Sequence, residues 1–146
     1  MSGVYTKGSL RFAYPENWVI DEDLDTTAEL AVTASSPETA FWSVLLYKGL
    51  LSLPELVDEV VAALAAEYPQ LERDPAELDA DPRYPDPPGA YGYDLSFPYL
   101  DLMNSALLRA FHHQGRTFLV LAQAEDHELE QVERVFRAMT MSLIAQ

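Results

Sequence analysis

The chain has 146 residues, the size of one ordinary domain, and its hydrophobic fraction of 49% is ample for a packed core and excludes wholesale disorder. Its 24 acidic residues against nine basic ones give a formal net charge of −15, which disfavours nucleic-acid and anionic membrane partners. The absence of cysteine excludes disulfides, thiolate nucleophiles and Cys-ligated metals, and no apolar run reaches the length of a signal peptide or a membrane span. We therefore expect one soluble, cytoplasmic domain comprising residues 1–146.

The first part of the chain predicts a series of strands. Residues 10–14 alternate between apolar and small or polar side chains until Pro15, and the turn that follows returns Trp18 to the core. Residues 29–35 alternate in the same way. Residues 40–47 are almost continuously apolar, which is typical of a strand that is covered on both faces.

A helix is predicted to begin after Ser52. Ser52 as N-cap with Glu55 three residues later is a capping box, and Pro54 is tolerated in the first helical turn. Apolar residues recur at helical spacing along one face: Leu53, Leu56, Val57, Val60, Val61, Leu64 and Tyr68. Pro69 ends the helix, and the opposite face is acidic or alanine, so we expect this helix to pack against a sheet.

Residues 71–89 form a segment rich in proline and aspartate. Its prolines are Pro75, Pro82, Pro85, Pro87 and Pro88. Proline at this density prevents the continuation of helix or sheet, so we expect an irregular loop within the single domain. Loops of this length are usually functional or mobile.

The strand and hairpin that follow are the centre of the predicted fold. Residues 90–97 alternate cleanly, and two further apolar runs, 105–113 and 116–124, are joined at Gln114-Gly115. Glycine supplies the positive φ of a tight hairpin turn, so the two runs should pair antiparallel. Counting outward from a two-residue turn pairs His113 with Arg116, His112 with Thr117, Phe111 with Phe118 and Arg109 with Val120.

The two faces of this hairpin differ in polarity. One face carries apolar residues and is expected to be a core face: Ala106, Leu108, Ala110, Leu119 and Leu121. On the other face Ser105, Arg109 and His113 interrupt an apolar set that consists of Leu107, Phe111, Phe118 and Val120. We expect this second face to be half-exposed to solvent.

A last helix is predicted with Asp126 as its N-cap. Its buried stripe consists of Leu129, Val132, Phe136, Met139 and Leu143. The order of elements is strands, helix, strands, helix, without the regular alternation of a parallel sheet. This order predicts an α+β fold in which helices pack on an antiparallel β-sheet.

The stretch Phe12-Ala13-Tyr14-Pro15-Glu16-Asn17-Trp18 resembles the F-x-Y-P-x-x-W opening of the Mog1/PsbP-like superfamily. The strand at 40–44, the mid-chain helix and the closing helix follow in the same order as in that superfamily, so the resemblance covers most of the chain. The chain looks like a member of a bacterial branch of the superfamily. It implies an antiparallel sheet between helices, an α/β/α sandwich. It also implies a protein that binds other proteins rather than one that catalyses a reaction.

The aspartates Asp21, Asp23 and Asp25 reproduce the first three ligand positions of a calcium-binding EF-hand loop. That loop also needs a glycine at its sharp turn and a bidentate glutamate at its end, and those positions hold Thr26 and Val32. The pattern therefore favours an acidic turn over a calcium site.

No other pattern in the sequence indicates catalysis or metal binding. His112 and His113 are adjacent in a strand and point to opposite faces, while His127 lies at a helix start. The chain has no G-x-S-x-G elbow, no P-loop and no G-x-G-x-x-G motif. We therefore predict no cofactor, no metal and no enzymatic activity.

The candidate binding site is the interrupted hairpin face, with Arg109, Phe111, His113 and Phe118. Arg109 there could receive a carboxylate or stack on an aromatic ring. The alternative is that Arg109 pairs with an acid of its own chain and that the phenylalanines lie under the last helix.

The function predicted from the sequence is a non-catalytic protein-binding or adaptor module that binds through the half-apolar hairpin face, the proline-rich acidic loop 71–89, or both. The acidity of the chain favours a basic protein partner. A homodimer is left open, because Ala62 and Ala66 would admit a second copy closely. The alternative function is a small-ligand-binding protein or an enzyme with a pocket near Arg109.

Overall fold

Nine strands and two helices make up the part of the chain that the computed structural model describes, residues 2–24 and 26–145. In chain order they are β1 (Ser2–Lys7), β2 (Leu10–Pro15), β3 (Val19–Glu22), β4 (Leu30–Ser35), β5 (Phe41–Lys48), α1 (Leu53–Glu67), β6 (Glu72–Pro75), β7 (Tyr91–Tyr99), β8 (Leu102–His113), β9 (Arg116–Glu125) and α2 (Asp126–Ser142). Seven strands form one antiparallel sheet in the order β3-β4-β5-β9-β8-β7-β6, and β1 and β2 form a separate two-stranded ribbon.

The seven-stranded sheet lies between two layers. The helix α1 covers one face, where Leu56, Val57 and Val61 pack against the side chains of β7, β8 and β9. The helix α2 and the β1–β2 ribbon cover the other face, where Trp42 and Phe136 are buried. The predicted α/β/α arrangement of helices on an antiparallel sheet is confirmed.

The central hairpin turns where the sequence predicts. Gln114 and Gly115 both have positive φ, +51° and +76°, which is the backbone of a two-residue type I′ turn. The predicted register is confirmed from His113 opposite Arg116 through Phe111 opposite Phe118. The face formed by Ala106, Leu108, Ala110, Leu119 and Leu121 packs under α1, as expected of a core face.

The prediction that the second hairpin face is half-exposed is wrong. Phe111, Phe118 and Val120 are all buried, and Arg109 is only 3% exposed. The reason is that α2 and the β1–β2 ribbon pack over this face and close it from solvent. The alternative, in which these residues lie under the last helix, is the observed arrangement.

Both helices begin with side-chain caps, but the second cap is not the predicted one. The Ser52 hydroxyl accepts a hydrogen bond from the backbone N–H of Glu55 at 3.3 Å, which confirms the predicted start of α1. For α2 the N-cap is Glu125, whose carboxylate accepts hydrogen bonds from the backbone N–H groups of His127 and Glu128. Asp126 instead accepts a hydrogen bond from the hydroxyl of Ser105 at 2.7 Å.

Two short strands depart from the sequence prediction. The segment 71–89 is not wholly irregular, because Glu72–Pro75 pairs antiparallel with β7 at the edge of the sheet. Proline is tolerated at the end of an edge strand, where no neighbour needs its missing N–H. The strand Ser2–Lys7 pairs with β2, and the sequence pattern does not predict it.

Candidate functional site

Arg109 lies in the middle of β8, and its guanidinium contacts carboxylates and backbone carbonyls of its own chain. Its Nε lies 3.1 Å from a carboxylate oxygen of Asp86, and its Nη1 lies 2.9 Å from a carboxylate oxygen of Asp94. Nη1 also donates to the backbone carbonyls of Tyr93 at 3.3 Å and Leu108 at 3.1 Å. The guanidinium therefore binds internal acids, as the alternative interpretation of the sequence holds.

The three remaining predicted site residues come together beside the hairpin turn. The rings of Phe111 and Phe118 stack across the strands at 5.1 Å, and the ring of His113 lies 6.2 Å from that of Phe118. His113 Nε2 is buried and has no hydrogen-bond partner among residues 2–24 and 26–145. Since both phenylalanines belong to the core under α2, a partner reaches them only if that layer moves. Their binding role stays a prediction.

Asp86 links the proline-rich segment to the sheet and to α2. One of its carboxylate oxygens pairs with Arg109 of β8, and the other lies 3.6 Å from Nη1 of Arg137 on α2. Asp86 itself belongs to the proline-rich segment, where it exchanges two hydrogen bonds of 2.8 Å with Asp79. The side chains of Asp86, Arg109 and Arg137 are all at least 90% buried. This cluster fastens the segment to the sheet and to α2.

The cavity beside this cluster is small. It is lined by Tyr84, Pro85, Asp86, Leu107, Arg109, Val120, Ala122, Phe136, Arg137 and Thr140, and its volume is about 10 Å³. That is about enough for one water molecule, whereas sites for small-molecule ligands measure hundreds of Å³. The geometry near Arg109 thus provides no room for a small-molecule substrate.

Gly92 allows β7 to approach β8 closely beside Arg109. Gly92 lies directly opposite Arg109 in the sheet. A Cβ added at Gly92 would lie only 1.8 Å from the backbone carbonyl oxygen of Leu108. A glycine at this position is therefore a requirement of the strand spacing that lets Arg109 reach Asp94.

Glu128 in the first turn of α2 binds the turn between β4 and β5. Its carboxylate accepts hydrogen bonds from the Ser36 hydroxyl at 2.7 Å, the Thr39 hydroxyl at 2.6 Å and the Thr39 N–H at 2.8 Å. Burial alone raises the pKa of the Glu128 carboxyl, but the hydrogen bonds from Thr39 and Ser36 outweigh burial and hold the pKa below its usual range.

Stability should therefore depend on pH through Glu128. Because its pKa is lower in the folded state, the ionised carboxylate stabilises the fold above the unfolded pKa of about 4.3, and this contribution is lost as the pH falls through the folded pKa. We expect Glu128→Gln to lower the free energy of unfolding by about 2 kcal/mol at pH 7 and by progressively less as the pH falls from the unfolded pKa through the lower folded pKa. Urea unfolding of both proteins from pH 3 to pH 8 measures the difference. Glu130→Gln, an exposed control on the same helix, should follow the wild type, and a pH-independent Glu128→Gln deficit would contradict the assignment.

Among the described residues, the most conspicuous apolar surface is the turn between β7 and β8. Tyr99, Leu100, Leu102 and Met103 are 50%, 77%, 45% and 48% exposed, and we call them the tip patch. The pairing of Tyr99 with Leu102 and of Pro98 with Met103 places Tyr99 and Leu102 on one face of the hairpin and Met103 on the other. Exposed apolar side chains gathered at one turn mark interaction sites more often than single exposed ones do.

The tip patch projects beyond the neighbouring strands. The last pair between β8 and β9 is Asn104 with Glu125, whereas β7 and β8 continue to pair as far as Tyr99 with Leu102. Residues 98–103 thus extend past the end of β9 as an overhanging hairpin. The side-chain amide of Asn104 donates to the carbonyl of Leu102 at 3.3 Å and helps to fix the overhang.

The turn that carries the tip patch is strained. Leu100 and Asp101 have φ of +52° and +64°, the left-handed conformation that a type I′ turn needs at both central positions. Asparagine and glycine adopt this conformation readily, but a side chain such as leucine opposes it by roughly 1–2 kcal/mol. A large apolar residue, largely exposed, therefore occupies a position where backbone energetics favour a small or polar one.

Sequence patterns alone do not reveal the tip patch. The pair Leu100-Asp101 lacks the asparagine or glycine that marks a hairpin turn, so the sequence predicts no turn between the strands at 90–97 and 105–113. The available signal is the run Tyr99-Leu100-Asp101-Leu102-Met103 after Pro98, which is too apolar for an ordinary loop.

The described residues offer no clear metal site. Across residues 2–24 and 26–145, no group of three or more His, Asp or Glu side chains is placed to hold a metal ion. Of the aspartates that resemble a calcium loop, Asp21 lies in β3 and Asp25 lies outside the described residues. His112 and His113 point to opposite faces, with His112 Nε2 2.7 Å from the carbonyl of Leu51. No helix within the described ranges is long and apolar enough to cross a membrane.

Comparisons with known proteins define the fold. No family model matches the sequence, and no curated protein matches it. The chain is similar to the solution structure of cyanobacterial PsbP (CyanoP) from Synechocystis sp. PCC 6803, with a TM-score of 0.63 at 12% identity over 97% of this chain and 90% of that chain. The chain has the Mog1/PsbP-like fold. A crystal structure of LpqN, involved in cell envelope biogenesis of Mycobacterium tuberculosis, also matches, with a TM-score of 0.41 at 12% identity over 88% and 78% of the two chains.

In this Mog1/PsbP-like fold, the sequence stretch that carries the resemblance fastens the β1–β2 ribbon to the sheet. Phe12 stacks on Tyr5 at 5.2 Å and contacts Trp42 of β5 at 4.7 Å. Trp18 packs edge-on against Phe136 of α2 at 6.1 Å. In this chain the motif therefore packs the ribbon against the sheet and α2, and the tip patch lies outside it.

Proposed function

We propose that this protein is a non-catalytic protein-binding module whose docking surface is the tip patch. The observation that carries the proposal is the exposure of four large apolar side chains in a strained, overhanging turn. Burying such side chains in a partner would contribute roughly 1.5–3 kcal/mol each, before the entropy lost on association is subtracted. A turn that served only to connect two strands would be more stable with asparagine at position 100.

The charge of the chain supports a basic protein as the partner. At −15, two copies of this chain repel one another, and so do this chain and an anionic membrane surface. A protein with an apolar groove bordered by lysine and arginine would be attracted instead, and Asp101 at the tip would face that border. The partner that this surface fits best therefore has an apolar groove with basic residues along its border.

The alternative, a small-molecule site or enzyme near Arg109, has less support. The cavity beside Arg109 has a volume of about 10 Å³, and Arg109 is already bound by Asp86 and Asp94. A substrate would have to displace the proline-rich segment and break a buried ion pair before it could bind.

We expect Leu100→Asn to stabilise the protein and weaken its function at the same time. Asparagine relieves the left-handed strain, so the free energy of unfolding should rise by about 1 kcal/mol, and urea denaturation measures it. Loss of an exposed anchor should weaken partner binding about tenfold. A variant that is more stable and binds its partner as tightly as the wild type would contradict the proposed role of Leu100.

Partner capture tests the docking surface directly. Wild-type protein, the tip variant Leu100→Asn/Met103→Ser and the control Leu50→Asn would each be coupled to a resin and exposed to native lysate. Leu50 is 66% exposed and lies beside Gly49, at the opposite end of the sheet. We expect a basic protein to be retained by wild type and Leu50→Asn and lost from the tip variant, as identified by mass spectrometry and confirmed with the purified partner.

Two outcomes would overturn the proposal. If the tip variant, shown to be folded by circular dichroism, retains the same proteins as the wild type, the tip patch is not the docking surface. If wild type instead sediments with phosphatidylcholine vesicles and the tip variant does not, the exposed side chains insert into lipid and the partner is not a protein.

A further inference from the structure

A pocket lies beside the tip patch, between the end of α1 and the β7–β8 hairpin. It has a volume of about 360 Å³ and is lined by Glu67, Tyr68, Pro69, Gln70, Pro98, Tyr99 and Leu100. This volume is at the lower end of the range of ligand sites and is ample for one long side chain. Because Tyr99 and Leu100 belong to both surfaces, the pocket is continuous with the tip patch.

Two tyrosines, Tyr68 and Tyr99, contribute aromatic rings to the walls of the pocket. The ring of Tyr68 stacks on Phe97 at 4.1 Å and meets Tyr99 edge-on at 5.8 Å. Phe97 is fully buried, so Tyr68 is held against the body of the protein, while Tyr99 is half exposed. Aromatic faces attract cations through the negative potential above the ring, and proline walls pack against aliphatic chains.

The electrostatic character of the pocket is negative. The last turn of α1 consists of Leu64, Ala65, Ala66 and Glu67, so its only charge is an acid at the end of a helix, where the dipole is already negative. A cation is the group that stabilises a helix C-terminus, and α1 does not supply one of its own in that turn. Burial and the neighbouring Glu67 carboxylate raise the pKa of the Tyr68 hydroxyl, in agreement with this potential.

We propose that this pocket receives a cationic side chain, arginine or lysine, from the partner that docks on the tip patch. The aliphatic part of that side chain packs between Pro69 and Pro98, and its charged end lies at Glu67 over the tyrosine rings. The inference rests on the proposed function and adds the chemistry of the anchoring residue. A cation-binding pocket next to the apolar tip patch would also favour partners that carry positive charge.

The experiment is an NMR titration with a matched pair of probes. Nα-acetyl-arginine amide carries the cation, and Nα-acetyl-citrulline amide has nearly the same shape without the charge. In ¹H–¹⁵N spectra of the full chain, the arginine probe should give saturable shifts at residues 67–70 and 98–100, with at least fivefold weaker binding of the citrulline probe. Equal binding of the two probes, or shifts spread over the whole acidic surface, would overturn the inference.

Two variants separate a local carboxylate from the net charge of the chain. Glu67→Gln should weaken arginine binding at least threefold, whereas Glu59→Gln, which removes an exposed acid elsewhere on α1, should leave it unchanged. An equal effect of both variants would mean that only the overall charge attracts the probe, and the inference would fall. Two-dimensional spectra of each variant show directly that it is folded.

The failure of this inference is distinguishable from the failure of the proposed function. If the tip variant loses the partner but the arginine probe binds nowhere specific, the docking surface stands and the cationic anchor is rejected. If the probe binds at Glu67 but the tip variant keeps its partner, the cation pocket stands and the tip patch is rejected as the docking surface.

Discussion

Replacement of Asp86 by asparagine should lower the free energy of unfolding by about 3 kcal/mol. Asp86 supplies a carboxylate between two buried guanidinium groups, with Arg109 at 3.1 Å and Arg137 at 3.6 Å. Asparagine preserves the size of the side chain, so the loss reports the charge together with one hydrogen-bond acceptor that the amide nitrogen cannot replace. Arg109 keeps Asp94 and Arg137 keeps Glu133, but both of those acids are more exposed and compensate less. Urea unfolding followed by circular dichroism measures the effect.

Asp81→Asn is the control for this prediction. Asp81 lies in the same proline-rich segment and also pairs with an arginine, but that partner, Arg83, is largely exposed to solvent. Exposed ion pairs contribute little, so this variant should unfold close to the wild type. If Asp86→Asn were as stable as Asp81→Asn, the buried cluster would not be what holds the segment against the sheet.

Gly92→Ala should destabilise the protein by about 3 kcal/mol, the upper end of the range for overpacked interiors. The added Cβ would lie 1.8 Å from the carbonyl oxygen of Leu108, which belongs to the backbone of β8 and cannot rotate away. The strands would have to separate where Arg109 crosses to Asp94, so the clash would also disturb the ion cluster. The midpoint of thermal or urea unfolding gives the measurement.

Ser96→Ala separates this clash from a general effect of alanine in β7. Ser96 lies on the same strand and the same face as Gly92, and it already has a Cβ. We expect it to stay close to the wild type. Wild-type stability of Gly92→Ala would show that β7 can shift away from β8 without loss, contrary to the close approach described above.

Much of the fold could be predicted because local chemistry determines it. Gln114-Gly115 defines the central turn and therefore the register of every pair along β8 and β9. Ser52 and Glu55 define the start of α1 in the same way. In each case the residues that decide the structure are neighbours in sequence, so a single sequence contains the necessary information.

The candidate site could not be predicted because distant residues decide it. Arg109 interrupts an apolar strand face, which indicates a half-exposed surface, but its partner Asp86 comes from a segment 23 residues away. Arg137 has the spacing of a surface helical pair with Glu133 and yet is buried against the same aspartate. The tip patch could not be predicted for a different reason. Leu100 has a left-handed backbone conformation, and turn preferences assign that conformation to glycine, asparagine and aspartate.

The two outer strands of the seven-stranded sheet, β3 and β6, are only four residues long each. The strand β3 carries Asp21 and Glu22, and the strand β6 carries Glu72, Asp74 and Pro75. Such short, charged and proline-bearing borders resist the addition of a foreign strand, which is the first step of fibril growth. The edges of the seven-stranded sheet should therefore not template self-aggregation at high protein concentration.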